Sequence, residues 1–181
     1  EKFDIAGWWP KKVNELSKGM QQKIQFISTV VHEPELLILD EPFSGLDPIN
    51  TRLIKSEIRR LRDQGASIIF STHRMEQVEE ICEHIVLINK GQNVLEGKVD
   101  DIKNKYKENV FRIETKGELP PGLAKEIPIL KKEDGGVFVQ LENEEDSNVL
   151  LKNILRHNVR VISFNEIFPS LNEIFIQQVE N

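Results

Sequence analysis

Apolar and polar positions in this chain follow first a helical period, then a short unbroken run, and then the helical period again. From Lys18 to His32 apolar residues return at helical spacing: Met20, Ile24, Phe26 with Ile27, and Val30 with Val31. Ser17 stands in the N-cap position and Pro34 closes the segment. A strand expected at 35–39, apolar from Leu36 to Leu39, then stops at Asp40, Glu41 and Pro42. Such a run fits a strand buried on both faces, and Pro42 keeps it from continuing. The helical period resumes from Ile49 to Asp63, with Leu53, Ile54, Ile58 and Leu61 as its stripe and Gly65 as its stop. Ser67 to Ser71 reads as a second buried strand, followed by a helix from Met75 to Glu83. Two strands, 85–89 and 92–96, are joined by Lys90-Gly91, a hairpin signal. Strand, helix, strand, helix, strand predicts a parallel α/β sheet.

Beyond a charged stretch from Lys98 to Asn109 the pattern changes. Strands are expected at 110–115, 127–131, 137–141 and 159–164. A helical turn is expected at 121–126, a turn at Asp134-Gly135-Gly136, and helices at 146–157 and 170–179. The order β-(α)-β-β-α-β matches the split βαβ, ferredoxin-like pattern. The fold class is therefore α/β, a parallel sheet followed by a small α+β domain, with units 1–106 and 107–181.

Composition narrows the classes. At 181 residues the chain is long enough for a real core, and 30% charged with 39% apolar residues is a globular balance. A net charge of −6 argues against a broad nucleic-acid footprint, which needs a basic face. The single cysteine, Cys82, forms no intramolecular disulfide and reads as a small core residue. No run of about 18 apolar residues is present to span a bilayer. The chain opens Glu-Lys-Phe, without methionine or signal peptide, and reads as a fragment.

Chemistry concentrates at the strand ends. Asp40 and Glu41 emerge at a carboxyl edge, where open α/β sheets bind ligands. One carboxylate there can hold Mg²⁺, directly or through water, and the other can accept a proton from an attacking water. The plain alternative is a solvated turn. Thr72 and His73 share that edge if the two strands run parallel. Ser17-Lys18-Gly19 opens the first helix, where free amides and the helix dipole favour an anion; its plain alternative is an ordinary cap. His32, His84 and His157 have no partners at ligand spacing.

Taken in order, LSKGM, LLILDEP, SGLD and STH make residues 11–97 closely resemble the ATP-binding subunit of ABC transporters. The resemblance implies a partial P-loop NTPase sheet. It assigns Ser17, Lys18 and Gly19 to the signature motif, Asp40 to Walker B and Mg²⁺, and Glu41 to the catalytic carboxylate. Ser44 to Asp47 match the D-loop, with Asp47 communicating across a dimer interface, and His73 matches the switch histidine at the γ-phosphate. ATP and Mg²⁺ are the implied cofactors. The implied partners are a second ATPase subunit and membrane-spanning permease subunits, placing the protein on the inner face of the cell membrane. The stretch STHRMEQVEEIC and the variant LSKGM resemble the exporter branch with separate membrane subunits, of the sodium and drug efflux type. Two departures stand out. LSGGQ is replaced by LSKGM, so Lys18 would bring a positive charge near the phosphates if its side chain turned toward them, and Met20 removes an amide group. No GxxxxGK[ST] occurs, and the glutamine loop is also missing. In the family fold the phosphate-loop strand lies between the strand leading to His73 and the one at 85–89, so its loss leaves a gap or an exposed edge. The expectation is a truncated piece that does not hydrolyse ATP alone. The rival readings are a soluble ABC-type ATPase acting on ribosomes or DNA and a non-catalytic regulatory fragment.

Overall fold

The computed structural model describes residues 3–117, 119–133 and 135–180. They form two compact units, one ending at Cys82 and one beginning at Glu83.

In the first unit, 3₁₀ turns at Ala6–Trp8 and Val13–Glu15 lead into α1 (Lys18–Val30). Ser17 is its N-cap, with Oγ accepting from the Met20 amide at 3.3 Å. Gln21 ties the lead-in to the helix, its Nε2 donating to the carbonyls of Val13 and Leu16, each at 3.0 Å. There follow β1 (Leu36–Asp40), α2 (Pro48–Asp63), β2 (Ser67–Ser71) and α3 (Met75–Ile81). Pro48 occupies the first helical turn of α2, where its missing N–H costs nothing. β1 and β2 pair in parallel, from Leu36 opposite Ser67 to Asp40 opposite Ser71. Phe26 and Val30 of α1, Leu37 of β1, Phe43, and Ile54, Ile58 and Leu61 of α2 make the core.

Burial on both faces does not hold for either strand. Leu37 is 1% exposed, but Leu36, Ile38 and Ile69 are 53%, 67% and 59% exposed. The pleat sends alternate side chains to opposite faces, and only the face holding Leu37 meets the helices of the core.

In the second unit β3 (His84–Asn89) and β4 (Gln92–Lys98) form an antiparallel hairpin. Its turn residues Lys90 and Gly91 have φ of 49° and 76°, the left-handed pair of a type I′ turn. β3 turns back on β4, so that β1–β2 and β3–β4 are separate two-stranded sheets. The charged stretch after Lys98 contains a helix, α4 (Val99–Lys105), which buries Val99 and Ile102 one turn apart.

Next come β5 (Val110–Thr115), α5 (Pro121–Glu126), β6 (Ile129–Glu133), β7 (Gly136–Gln140), α6 (Asp146–Arg156) and β8 (Val161–Ile167). The strands lie in the order β6-β7-β5-β8 with every pair antiparallel, which is the ferredoxin-like arrangement. Ile113, Leu123, Val139 and Ile154 are fully buried at its centre. In the expected turn before β7, Gly135 has φ of 74°, and Asp134 lies outside the described residues. The final helix, α7 (Leu171–Glu180), buries Leu171 and Ile174 and contacts β4. That contact groups the hairpin with the C-terminal elements. The compact units divide between Cys82 and Glu83, and the change in composition lies near 107.

Candidate active site

Parallel pairing puts the carboxyl ends of β1 and β2 side by side, which joins Asp40 and Glu41 to Ser71, Thr72 and His73. The Ser71 hydroxyl donates to Asp40 Oδ1. One residue on, the chain leaves the sheet: the Glu41 amide still donates to the Ser71 carbonyl at 2.9 Å, while Glu41 itself adopts φ of 45°. A left-handed conformation at a residue with a Cβ costs energy, on the order of 1–3 kcal/mol, and is found where a site over-determines the backbone.

The Glu41 side chain supplies that determination. Its Oε1 accepts from the His73 amide at 2.9 Å and faces His73 Nδ1 at 2.6 Å. An ionised carboxylate only accepts, so Nδ1 carries the proton and Nε2 is left for another partner. Oε2 accepts from the Thr72 hydroxyl at 3.1 Å, and Thr72 Oγ1 in turn accepts from the Arg74 amide at 3.2 Å. Burial pushes the Glu41 carboxyl up, but the His73 amide, the His73 ring and the Thr72 hydroxyl together outweigh it. The group therefore lies below its ordinary value of 4.5 and is ionised at neutral pH. The His73 ring is 79% exposed, so the pair opens to solvent.

A second set of contacts joins the start of α1 to the turn after Glu41. Gln22 Nε2 reaches the Pro42 carbonyl at 3.5 Å. A Cβ on Gly19 would stand 3.0 Å from the Gly45 carbonyl oxygen, so glycine permits the two backbones to meet. Gly45 has φ of 73°, and a Cβ there would stand 3.3 to 3.5 Å from the Lys18 side-chain carbons Cδ, Cγ and Cε. The stem of Lys18 thus lies on this turn. Asp47 is the N-cap of α2, its Oδ1 accepting from the amides of Ile49 and Asn50 at 2.9 Å each and its Oδ2 from the Asn50 side chain. The Asn50 amide leads the interactions that lower the Asp47 pKa.

Asp40 is exposed, and with the Ser71 hydroxyl it offers hard oxygen donors of the kind Mg²⁺ takes. Among the described residues no group of three His, Cys, Asp or Glu could hold a metal, so a cation here would rely on water or phosphate oxygens as well. The first turn of α1 contains no acidic residue to repel an anion. Asp40, Glu41 and His73 thus come together at one edge, while Lys18 and Gly19 meet the turn at Gly45 and Ser17 caps α1. Local pattern gave no role to Ser71 or Gln22; the parallel register and the packing of α1 reveal them.

Known proteins align with these elements. Residues 97–179 match the family described as ATP-binding protein DrrA1-3-like, C-terminal domain. Residues 10–78 match an AAA domain family. An uncharacterized ABC transporter ATP-binding protein of Alkalihalophilus pseudofirmus is 43% identical over 99% of this chain and 67% of its own length. One from Bacillus subtilis, YhaQ, is 45% identical over 99% of this chain and 60% of its own. One from Methanocaldococcus jannaschii is 37% identical over 98% and 58%. A solved ATP-binding subunit of an ABC transporter shows 34% identity and a TM-score of 0.49 over 52% of this chain and 39% of that one. The chain belongs to the ABC transporter ATP-binding protein family, and it spans about three fifths to two thirds of the length of these relatives.

Proposed function

We propose that this chain is the part of an ABC exporter's ATPase subunit that supplies Walker B, the catalytic carboxylate, the switch histidine and the signature motif. The observation that carries this is Glu41, set at the carboxyl edge of a parallel pair beside Asp40 and bonded through Oε1 to His73. With its pKa lowered, Glu41 is ionised and orients a water by accepting its hydrogen bond. His73 keeps that carboxylate in place and has Nε2 left for a phosphate oxygen. Asp40, backed by the Ser71 hydroxyl, would hold Mg²⁺. Magnesium, when bound, neutralises charge on the phosphates. Ser17 and the first amides of α1 face a nucleotide held by a second ATPase subunit, and Asp47 lies at that interface. The phosphate-cradling loop comes from residues outside these 181, since no GxxxxGK[ST] lies within them. Separate membrane-spanning subunits carry the substrate, and the protein works on the inner face of the cell membrane. Among the described residues no helix is long and apolar enough to cross a membrane. The second unit is an accessory domain.

The test is Glu41→Gln in the full-length protein. Nucleotide binding and dimer closure are expected to persist while turnover falls by about a hundredfold or more. Turnover at the wild-type rate removes Glu41 from this role. The 181-residue chain alone is expected to show no turnover.

A further inference from the structure

Lys18 is an odd residue for its place. It is the first residue of α1, where the positive end of the helix dipole disfavours a cation, and the first turn has no acid to offset it. Its ammonium has no ion pair with a described residue. What the side chain does have is Gly45: Cγ, Cδ and Cε lie within 3.3 to 3.5 Å of where a Cβ on Gly45 would be. The same turn takes the Gly19 backbone against the Gly45 carbonyl and the Gln22 amide group at the Pro42 carbonyl. It begins at Glu41, whose carbonyl accepts from the Ser44 amide at 3.0 Å, and ends at Asp47, the cap of α2.

We infer that Lys18 is a positioning residue, which holds the 42–46 turn through its aliphatic stem and not through its charge. A flexible stem lying over a left-handed glycine covers a spot that the glycine's own missing side chain leaves bare. Movement of that turn shifts both its neighbours in the chain, Glu41 on one side and the Asp47 cap on the other. A lysine in this signature segment therefore couples it mechanically to the D-loop of the same subunit.

Two substitutions separate stem from charge. Lys18→Met keeps an unbranched stem and drops the charge, whereas Lys18→Ala drops both. In the 181-residue chain, hydrogen exchange at the Ser44 and Leu46 amides is expected to accelerate roughly twofold in Lys18→Ala, about half the effect of a buried methylene because Lys18 is an exposed residue, and to stay near the wild-type rate in Lys18→Met. Equal acceleration in both variants, or none in either, overturns the inference. The second arm rests on the ATPase reading and uses the full-length protein. There Lys18→Met is expected to restore kcat severalfold over Lys18→Ala with KM for ATP the same in both. A KM raised alike in both variants overturns the inference, because it assigns Lys18 to the phosphates by charge. A full-length protein without any turnover defeats the ATPase reading, and the exchange arm still decides the role of Lys18.

Discussion

The parallel pair β1–β2 and the four-stranded sheet β6-β7-β5-β8 each lay one face on helices, and they differ in what they do with the other. The four-stranded sheet closes Ile113 and Val139 beneath Leu123 of α5 and Ile154 of α6, all fully buried. Its β5 and β7 also present Arg112 and Phe138, with Lys131 of β6 beside them. Lys131 Nζ lies 4.7 Å from the Phe138 ring centre and the Arg112 guanidinium 5.9 Å from it. The cations pair with Glu114 and Glu133, each at 2.8 Å. Such side chains need only water as their further partner. The parallel pair instead shows Leu36, Ile38 and Ile69 on its second face. The candidate site lies at the edge of the less completely covered of the two sheets. That edge is held by directed bonds among Asp40, Glu41, Ser71, Thr72 and His73, whereas the four-stranded sheet is held by a closed apolar core.

The strongest way to break this contrast is a cavity at the centre of the four-stranded sheet. Ile113 is fully buried and packs in one cluster with Leu123, Val139 and Ile154. Ile113→Ala is expected to cost about 2–5 kcal/mol, the range for losing a large aliphatic group without collapse of the site. Urea unfolding followed by a probe in residues 83–180 measures it. A cost under about 1 kcal/mol would mean that this core is not the closed one described.

Much of this arrangement is legible in the amino-acid sequence by itself. Ser17 as a cap, Lys90-Gly91 as the hairpin turn and the ferredoxin-like order after residue 110 all follow from local spacing, and the structure has each of them. The same holds for Asp40 and Glu41 leaving a strand beside His73. What local spacing cannot report is the environment on the far side of an element. LLIL reads the same whether one face is covered or two, so the exposure of Ile38 is invisible in it. Helix α4 escapes notice because only Val99 and Ile102 turn inward among its charges. The Ser71–Asp40 bond depends on the parallel register, and the seat of Lys18 depends on how α1 meets the turn. Both are contacts between elements distant in sequence.

A smaller effect sharpens the reactive side of the contrast. Since the folded pKa of Glu41 is below its ordinary 4.5, ionisation of this group stabilises the fold above that value. The contribution is complete near neutral pH and is lost as pH falls through the folded pKa. Glu41→Gln removes the titration. The stability gap between wild type and Glu41→Gln is thus expected to be widest at about pH 7 and to shrink below about pH 4. With the side chain 31% exposed, solvent screening keeps it under about 1 kcal/mol. Urea midpoints for both proteins at the two pH values check the sign. A gap that widens toward acid would place the Glu41 pKa above its ordinary value.

The smallest expected effect bears most directly on the uncovered face. Ile69 is 59% exposed and lies opposite Ile38, itself 67% exposed, on the parallel pair. Ile69→Thr keeps a β-branched side chain in a strand and removes an apolar group that is largely in water already. In the 181-residue chain its cost is expected to stay within about 0.5 kcal/mol, as for an ordinary surface position. The relatives extend well beyond the span this chain matches, and an aliphatic face is what further residues of such a protein would cover. Repeating Ile69→Thr in the full-length protein measures that cover directly. A cost of about 1–2 kcal/mol there, against almost none here, would show that β1–β2 becomes a two-sided sheet only with residues outside these 181. Equal, negligible costs in both would leave the face open in the full-length protein, and the difference between the two sheets would then be a lasting property of the fold.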